Sequence, residues 1–73
     1  MNLTDLKRNE KAYIIEINNS ATLKNRLIDM GLVKDTEIKI IQPSVLGSPV
    51  EIFLRGYKLT IRKSDAKLVI VRK

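Results

Sequence analysis

Two runs of residues, Pro49-Val50-Glu51-Ile52-Phe53-Leu54-Arg55 and Lys58-Leu59-Thr60-Ile61-Arg62, stand on either side of Gly56-Tyr57. Successive side chains of a strand point to opposite faces, and a glycine at the first of two central positions suits a tight type II′ reversal. Reversing the chain there predicts Leu54 opposite Leu59 and Ile52 opposite Ile61 on one face. On the other face it predicts Glu51 opposite Arg62, Phe53 opposite Thr60 and, next to the turn, Arg55 opposite Lys58. Apolar meets apolar and acid meets base, and a slip by one residue would destroy both sets. An antiparallel ladder is therefore the seed of the fold, and the rest of the chain must cover its apolar side.

Most of the remainder supplies further strands. Lys11-Ala12-Tyr13-Ile14-Ile15-Glu16-Ile17 is rich in β-branched and aromatic residues, as strands are. The adjacent Ile14 and Ile15 break its alternation, which calls for a bulge or for cover on both faces. Asn2-Leu3-Thr4-Asp5-Leu6 reads as a turn that drops Leu3 or Leu6 into the core. A helix is predicted over about 21–30: Asn19 or Ser20 is suited to the N-cap, and Leu23, Leu27 and Met30 share one stripe of the helical period. Gly31 ends the helix, because it enters the left-handed region without a Cβ penalty, and this places Leu32 against Leu27. A strand begins near Glu37 and carries Ile38, Ile40 and Ile41. The segment Gln42 to Pro49, with two prolines and a glycine, is a loop. Lys63-Ser64-Asp65-Ala66-Lys67 forms one late helical turn (about 63–67), and Leu68-Val69-Ile70-Val71 forms the last strand.

Seventy-three residues make one domain, 1–73, and a domain this small hides only about 60% of the surface its unfolded chain exposes. Four or five short strands, one helix and one helical turn in that length predict a mainly β fold, a small SH3-like antiparallel β-barrel. Closure removes exposed strand edges and gives one core. Edges left open make such domains prone to weak self-association.

Chemistry is limited by what is missing. The chain has neither Cys nor His, so thiolate nucleophiles, disulfides, thiolate metal sites and the usual general base are excluded. The serines have no base partner, and no enzymatic activity is expected. Asp5, Glu10, Glu16, Asp29, Asp35, Glu37, Glu51 and Asp65 are the available hard-metal ligands, and no spacing among them forces convergence; neither metal nor cofactor is predicted. The longest apolar run, Leu68 to Val71, is far below the roughly 20 residues of a membrane-spanning helix. Without a secretion-type N-terminus the expected location is cytoplasmic, with any membrane contact indirect. Charge is uneven: residues 1–36 carry six Lys and Arg against five Asp and Glu, whereas residues 37–73 carry eight against three. A basic half attracts an acidic protein surface, an anionic membrane or a nucleic acid. Only three aromatics, Tyr13, Phe53 and Tyr57, accompany it. That is few for a barrel that stacks bases, so a basic nucleic-acid-binding module is the alternative reading and nucleic acid is not the expected partner. Candidate partner-binding residues are Phe53, Arg55, Tyr57 and Lys58, around the hairpin tip.

The segments Arg26-Leu27-Ile28-Asp29-Met30-Gly31-Leu32, Val45-Leu46-Gly47-Ser48-Pro49-Val50, Leu54 through Lys63 and Asp65 through Val71, in that order, resemble the FeoA family, ferrous iron transport protein A. The similarity spans nearly the whole chain. Two positions depart from the family pattern: Lys34-Asp35 stands where Pro-Gly is usual, and Asn9 where glycine is usual. Asn and Asp tolerate turn geometry nearly as well as glycine. The resemblance implies a small SH3-like cytosolic protein that assists a large membrane ferrous iron permease, by docking on that permease's GTP-binding region. The same barrel is similar to the C-terminal module of iron-dependent repressors, so fold alone does not assign function.

Overall fold

The structure, a computed structural model, describes residues 1–18 and 21–73. A 3-10 turn at Leu3–Asp5 leads into strand β1, Lys11–Ile17. Helix α1, Ala21–Asp29, and strand β2, Glu37–Gln42, follow. Strands β3, Val50–Leu54, and β4, Tyr57–Ile61, form the hairpin. A one-turn helix α2, Lys63–Ala66, delivers strand β5, Val69–Arg72. The predicted N-cap at Asn19 or Ser20 lies outside the described residues.

The strands make one antiparallel sheet of order β4-β3-β2-β1-β5, and its inner face is the core. Ala12, Ile14 and Ile17 of β1, Ile38 and Ile40 of β2, Val50, Ile52 and Leu54 of β3, Ile61 of β4, and Val69 and Val71 of β5 are all buried. Leu3 and Leu6 both enter this core, as do Leu23, Leu27 and Leu32. The register shifts between Ile14 and Glu16 and again between Ile40 and Gln42. The first shift resolves the doubled isoleucine: Ile14 and Ile17 point inward while Ile15 and Glu16 face out. Each bulge sharpens the local twist, and two bulges curl a short sheet towards a barrel. Hydrogen bonds do not join β4 to β5 among the described residues, so the ladder is curled rather than sealed. The free edge of β5 is occupied instead by the N-terminal segment, where the Val71 N–H donates to the Met1 carbonyl and Asn2 bridges to Ile70.

The hairpin differs from its predicted register. Val50 pairs with Ile61, Glu51 with Thr60, Ile52 with Leu59, Phe53 with Lys58 and Leu54 with Tyr57. The turn is centred on Arg55-Gly56 rather than Gly56-Tyr57, with φ of 48° and 87°. Two left-handed central residues define a type I′ geometry, which matches strand twist as well as type II′ does and uses the same glycine. Moving the turn by one residue moves the pairing by two. The faces are preserved and every partner changes, so Arg55 does not face Lys58 and Glu51 does not face Arg62.

At the end of α1 Met30 departs from the predicted buried stripe. Gly31, at φ 95°, turns the chain, with Gly31 N–H donating to the Ile28 carbonyl and Leu32 N–H to the Leu27 carbonyl, both at 2.9 Å. This pair of bonds is the Schellman arrangement. Met30, just before the turn, still donates its N–H to the Arg26 carbonyl at 3.2 Å but is 39% exposed, and Leu32, beyond the turn, fills the core in its place. Asn9 and Asp35 both sit at φ 69°, so the two departures from the family's glycines keep a glycine-like backbone.

Candidate functional site

The hairpin and its bulged neighbours bring together side chains that are remote in sequence. Pairing of Phe53 with Lys58, of Lys39 with Phe53, and of Lys11 with Lys39 lines up four residues in one row across β4, β3, β2 and β1. All four are exposed, so the row lies on the outer face of the sheet. Phe53 is 44% exposed, an aromatic set between lysines. An open depression of about 280 Å³ lies beside it, bounded by Lys11, Glu37, Lys39, Phe53 and Arg55.

Electrostatics make this row unlike the rest of the sheet. Lys58 Nζ is 3.1 Å from Glu51 Oε1, but Lys11 and Lys39 have no ion pair among the described residues. Two like charges directly opposite on a sheet are unfavourable unless solvent or an anion lies between them. Glu37, the nearest acid on β2, is engaged elsewhere: Tyr13 Oη donates to its Oε2 at 3.1 Å. That hydrogen bond and the Glu37 charge push the Tyr13 phenol above its ordinary range, against an opposing pull from Arg72. The Arg72 guanidinium lies 4.8 Å from the centre of the Tyr13 ring.

The four candidate residues of the hairpin divide into two pairs. Phe53 and Lys58 stand in the outer row. Arg55 and Tyr57 fold back over the C-terminal end of α1. Arg55 Nη2 donates to Thr36 Oγ1 at 3.3 Å, and Thr36 Oγ1 donates to the Gly31 carbonyl at 3.4 Å. Tyr57 Oη lies 3.1 Å, and Arg55 Cδ 3.5 Å, from where a Cβ on Gly31 would sit. A guanidinium at a helix C-terminus complements the negative end of its dipole. Arg55 and Tyr57 thus fix the hairpin against α1, and Phe53 with Lys58 faces outward. Sequence reasoning did not place Lys11 and Lys39 beside Phe53, because that neighbourhood depends on cross-strand register; the only local signal was their place on the polar side of β1 and β2.

Acidic residues are mostly committed to structural partners. Asp65 Oδ2 is 3.1 Å from Arg26 and 3.7 Å from Arg62. Asp5 accepts the Asn2 N–H at 2.9 Å, and Glu10 accepts the Lys7 N–H and the Lys73 ammonium. Among the described residues no group of three carboxylates is arranged to hold a metal ion, and no helix is long and apolar enough to cross a membrane.

Comparison with known proteins agrees with this architecture. The sequence pattern of the FeoA domain matches residues 1–73. A candidate Fe(2+) transport protein A of Campylobacter jejuni is 32% identical over 97% of this chain and 96% of its own length. An Fe(2+) transport protein A/Fe(2+) transporter FeoB fusion protein of Porphyromonas gingivalis is 27% identical over 97% of this chain, which corresponds to 8% of the fusion. Among solved structures, the FeoA protein of Chlorobium tepidum superimposes with a TM-score of 0.89 at 30% identity, covering 99% of this chain and 69% of that one. The Stenotrophomonas maltophilia FeoA, an SH3 domain protein solved with zinc, gives 0.83 at 25% identity over 97% and 88%. The T. acidophilum IdeR contains the same fold, at TM-score 0.82 and 25% identity, over 99% of this chain and 33% of that protein.

Proposed function

Because the chain belongs to the FeoA domain family, we propose that it is a cytosolic accessory protein of ferrous iron uptake that docks on the cytosolic, GTP-binding region of the membrane iron permease and modulates it. One observation carries this reading: in Porphyromonas gingivalis a relative of this domain is fused to the Fe(2+) transporter FeoB. A fusion holds two modules at high effective concentration, an arrangement that suits modules that touch.

The row Lys58, Phe53, Lys39 and Lys11 is the proposed contact face. A half-exposed phenylalanine offers apolar area for a hot spot. The unpaired lysines repel each other until carboxylates of a partner sit between them, so they speed and orient the encounter. Arg55 and Tyr57 serve the face indirectly by bracing the hairpin.

The test is retention of the purified cytosolic region of the permease from the same organism on immobilised wild-type chain. Phe53→Asp is expected to weaken retention about tenfold or more, the loss of one hot-spot residue. Lys39→Glu is expected to weaken it less and to reduce its dependence on salt. Retention no better than bare resin removes the proposal. The lysine row is also the observation that favours the second reading, a nucleic-acid contact; tight binding of a mixed-sequence oligonucleotide that falls steeply with salt would replace the first reading by the second.

A further inference from the structure

The loop between β2 and β3 presents a side chain that the fold does not use. Val45 is 54% exposed and Leu46 103%, as open as in an extended chain. Leu46 sits at φ 54° and the following Gly47 at 81°. The turn closes with the Ser48 N–H donating to the Val45 carbonyl at 3.0 Å. Left-handed central positions of this kind ordinarily hold Asn, Asp or Gly, because a Cβ crowds the backbone there. Leucine stands at one of them and gains no packing in return. Two more bonds stiffen the tip: Ser44 Oγ donates to the Ser48 carbonyl at 2.6 Å, and the Val45 N–H to Ser48 Oγ at 2.9 Å. The result is a held turn that carries one bare leucine.

Cations stand beside it. An open cleft of about 440 Å³ runs from Gly47 and Pro49 to Arg62, Lys63, Ser64 and Lys67. Arg62 pairs with Asp65 at 3.7 Å, whereas Lys63 and Lys67 carry no ion pair among the described residues. This tip lies at the opposite end of β3 from the Arg55-Gly56 turn and shares no residue with the row centred on Phe53.

We infer that Leu46 is a docking knob that enters an apolar socket on a protein partner, with carboxylates on the socket rim meeting Lys63 and Lys67. The inference rests on the docking reading above and takes the same permease region as its occupant. The held backbone is what selects a protein over a lipid surface. A bilayer is fluid and moulds itself around a tip, so rigidity there gains little; a socket of fixed shape rewards a tip that is ordered before contact.

Leu46→Asn tests this directly, since asparagine suits the left-handed backbone while removing the apolar side chain. Its melting temperature is expected to equal or exceed that of the wild type. Calorimetric titration with the permease's cytosolic region is expected to show affinity reduced tenfold or more for Leu46→Asn, and a smaller loss with a weaker salt dependence for Lys63→Glu with Lys67→Glu. If the wild type binds and Leu46→Asn binds equally well, the knob is overturned and the docking reading stands. If the wild type does not bind, both fall. Sedimentation with phosphatidylglycerol vesicles that requires Leu46, alongside protein binding that does not, would assign the tip to a lipid surface and overturn the inference.

Discussion

Gly31 and Gly56 both sit at positive φ, 95° and 87°, and their surroundings separate two reasons for needing glycine. A Cβ on Gly56 would meet nothing within 4 Å, while one on Gly31 would lie 3.1 Å from Tyr57 Oη. Gly56→Ala is therefore expected to lose only the backbone term, about 1–2 kcal/mol. Gly31→Ala loses that and also displaces the tyrosine. Urea denaturation is expected to show Gly31→Ala as the more destabilised, with the excess reduced in a Tyr57→Phe background, where the crowding hydroxyl is gone. Equal losses for the two alanine variants would mean that Tyr57 does not rest on Gly31. Gly31 was legible as a helix stop from its place after an apolar stripe; its contact with Tyr57 was not, because the two meet only when the hairpin packs on the helix.

Strand β3 shows the same division one scale up. Ile52 is wholly buried and its neighbour Phe53 faces out. Ile52→Ala is expected to cost about 2–5 kcal/mol as a core truncation, and Phe53→Ala about 1 kcal/mol or less, measured by chemical denaturation. Comparable losses would contradict the assignment of faces. Alternation alone made these faces readable. The turn position was not readable, because Gly56 serves either a type II′ turn with Tyr57 or a type I′ turn with Arg55. Tertiary contacts agree with the second arrangement. It sets Val50 opposite Ile61 and buries both, whereas the predicted register would have set Val50 opposite Lys63. It also brings Arg55 to Thr36.

Across the whole molecule, the chain termini are tied to the sheet. Met1 lies along β5, and the Lys73 ammonium reaches Glu10, just before β1. The Lys73 hydrogen bond first, and the Lys7 N–H second, hold the Glu10 carboxyl below its ordinary range. A carboxyl whose pKa is lowered by folding contributes stability that is complete above its unfolded pKa. That stability is lost as pH falls through the lowered folded value. The contribution of this pair should thus be complete and independent of pH near neutrality and decline only in acid. NMR titration is expected to place Glu10 below the usual glutamate range and to return it upward in Lys73→Met. An ordinary Glu10 value in the wild type would show that the C-terminus is not tied down.

Local rules acting over a few residues determined much of this protein from its sequence: four or five strands, the inward face of the hairpin, the broken alternation in β1, the glycine that stops α1, and the family to which the ordered motifs point. These properties follow from side-chain period and backbone sterics, which do not depend on what the segment later packs against. The tertiary structure decided which strand residues stand opposite one another. That in turn decided that Lys11, Lys39, Phe53 and Lys58 form a row and that Arg55 and Tyr57, though exposed, reach the end of α1; the fold also leaves Leu46 bare. Register and close packing depend on contacts between segments far apart in the chain, and no local pattern encodes them.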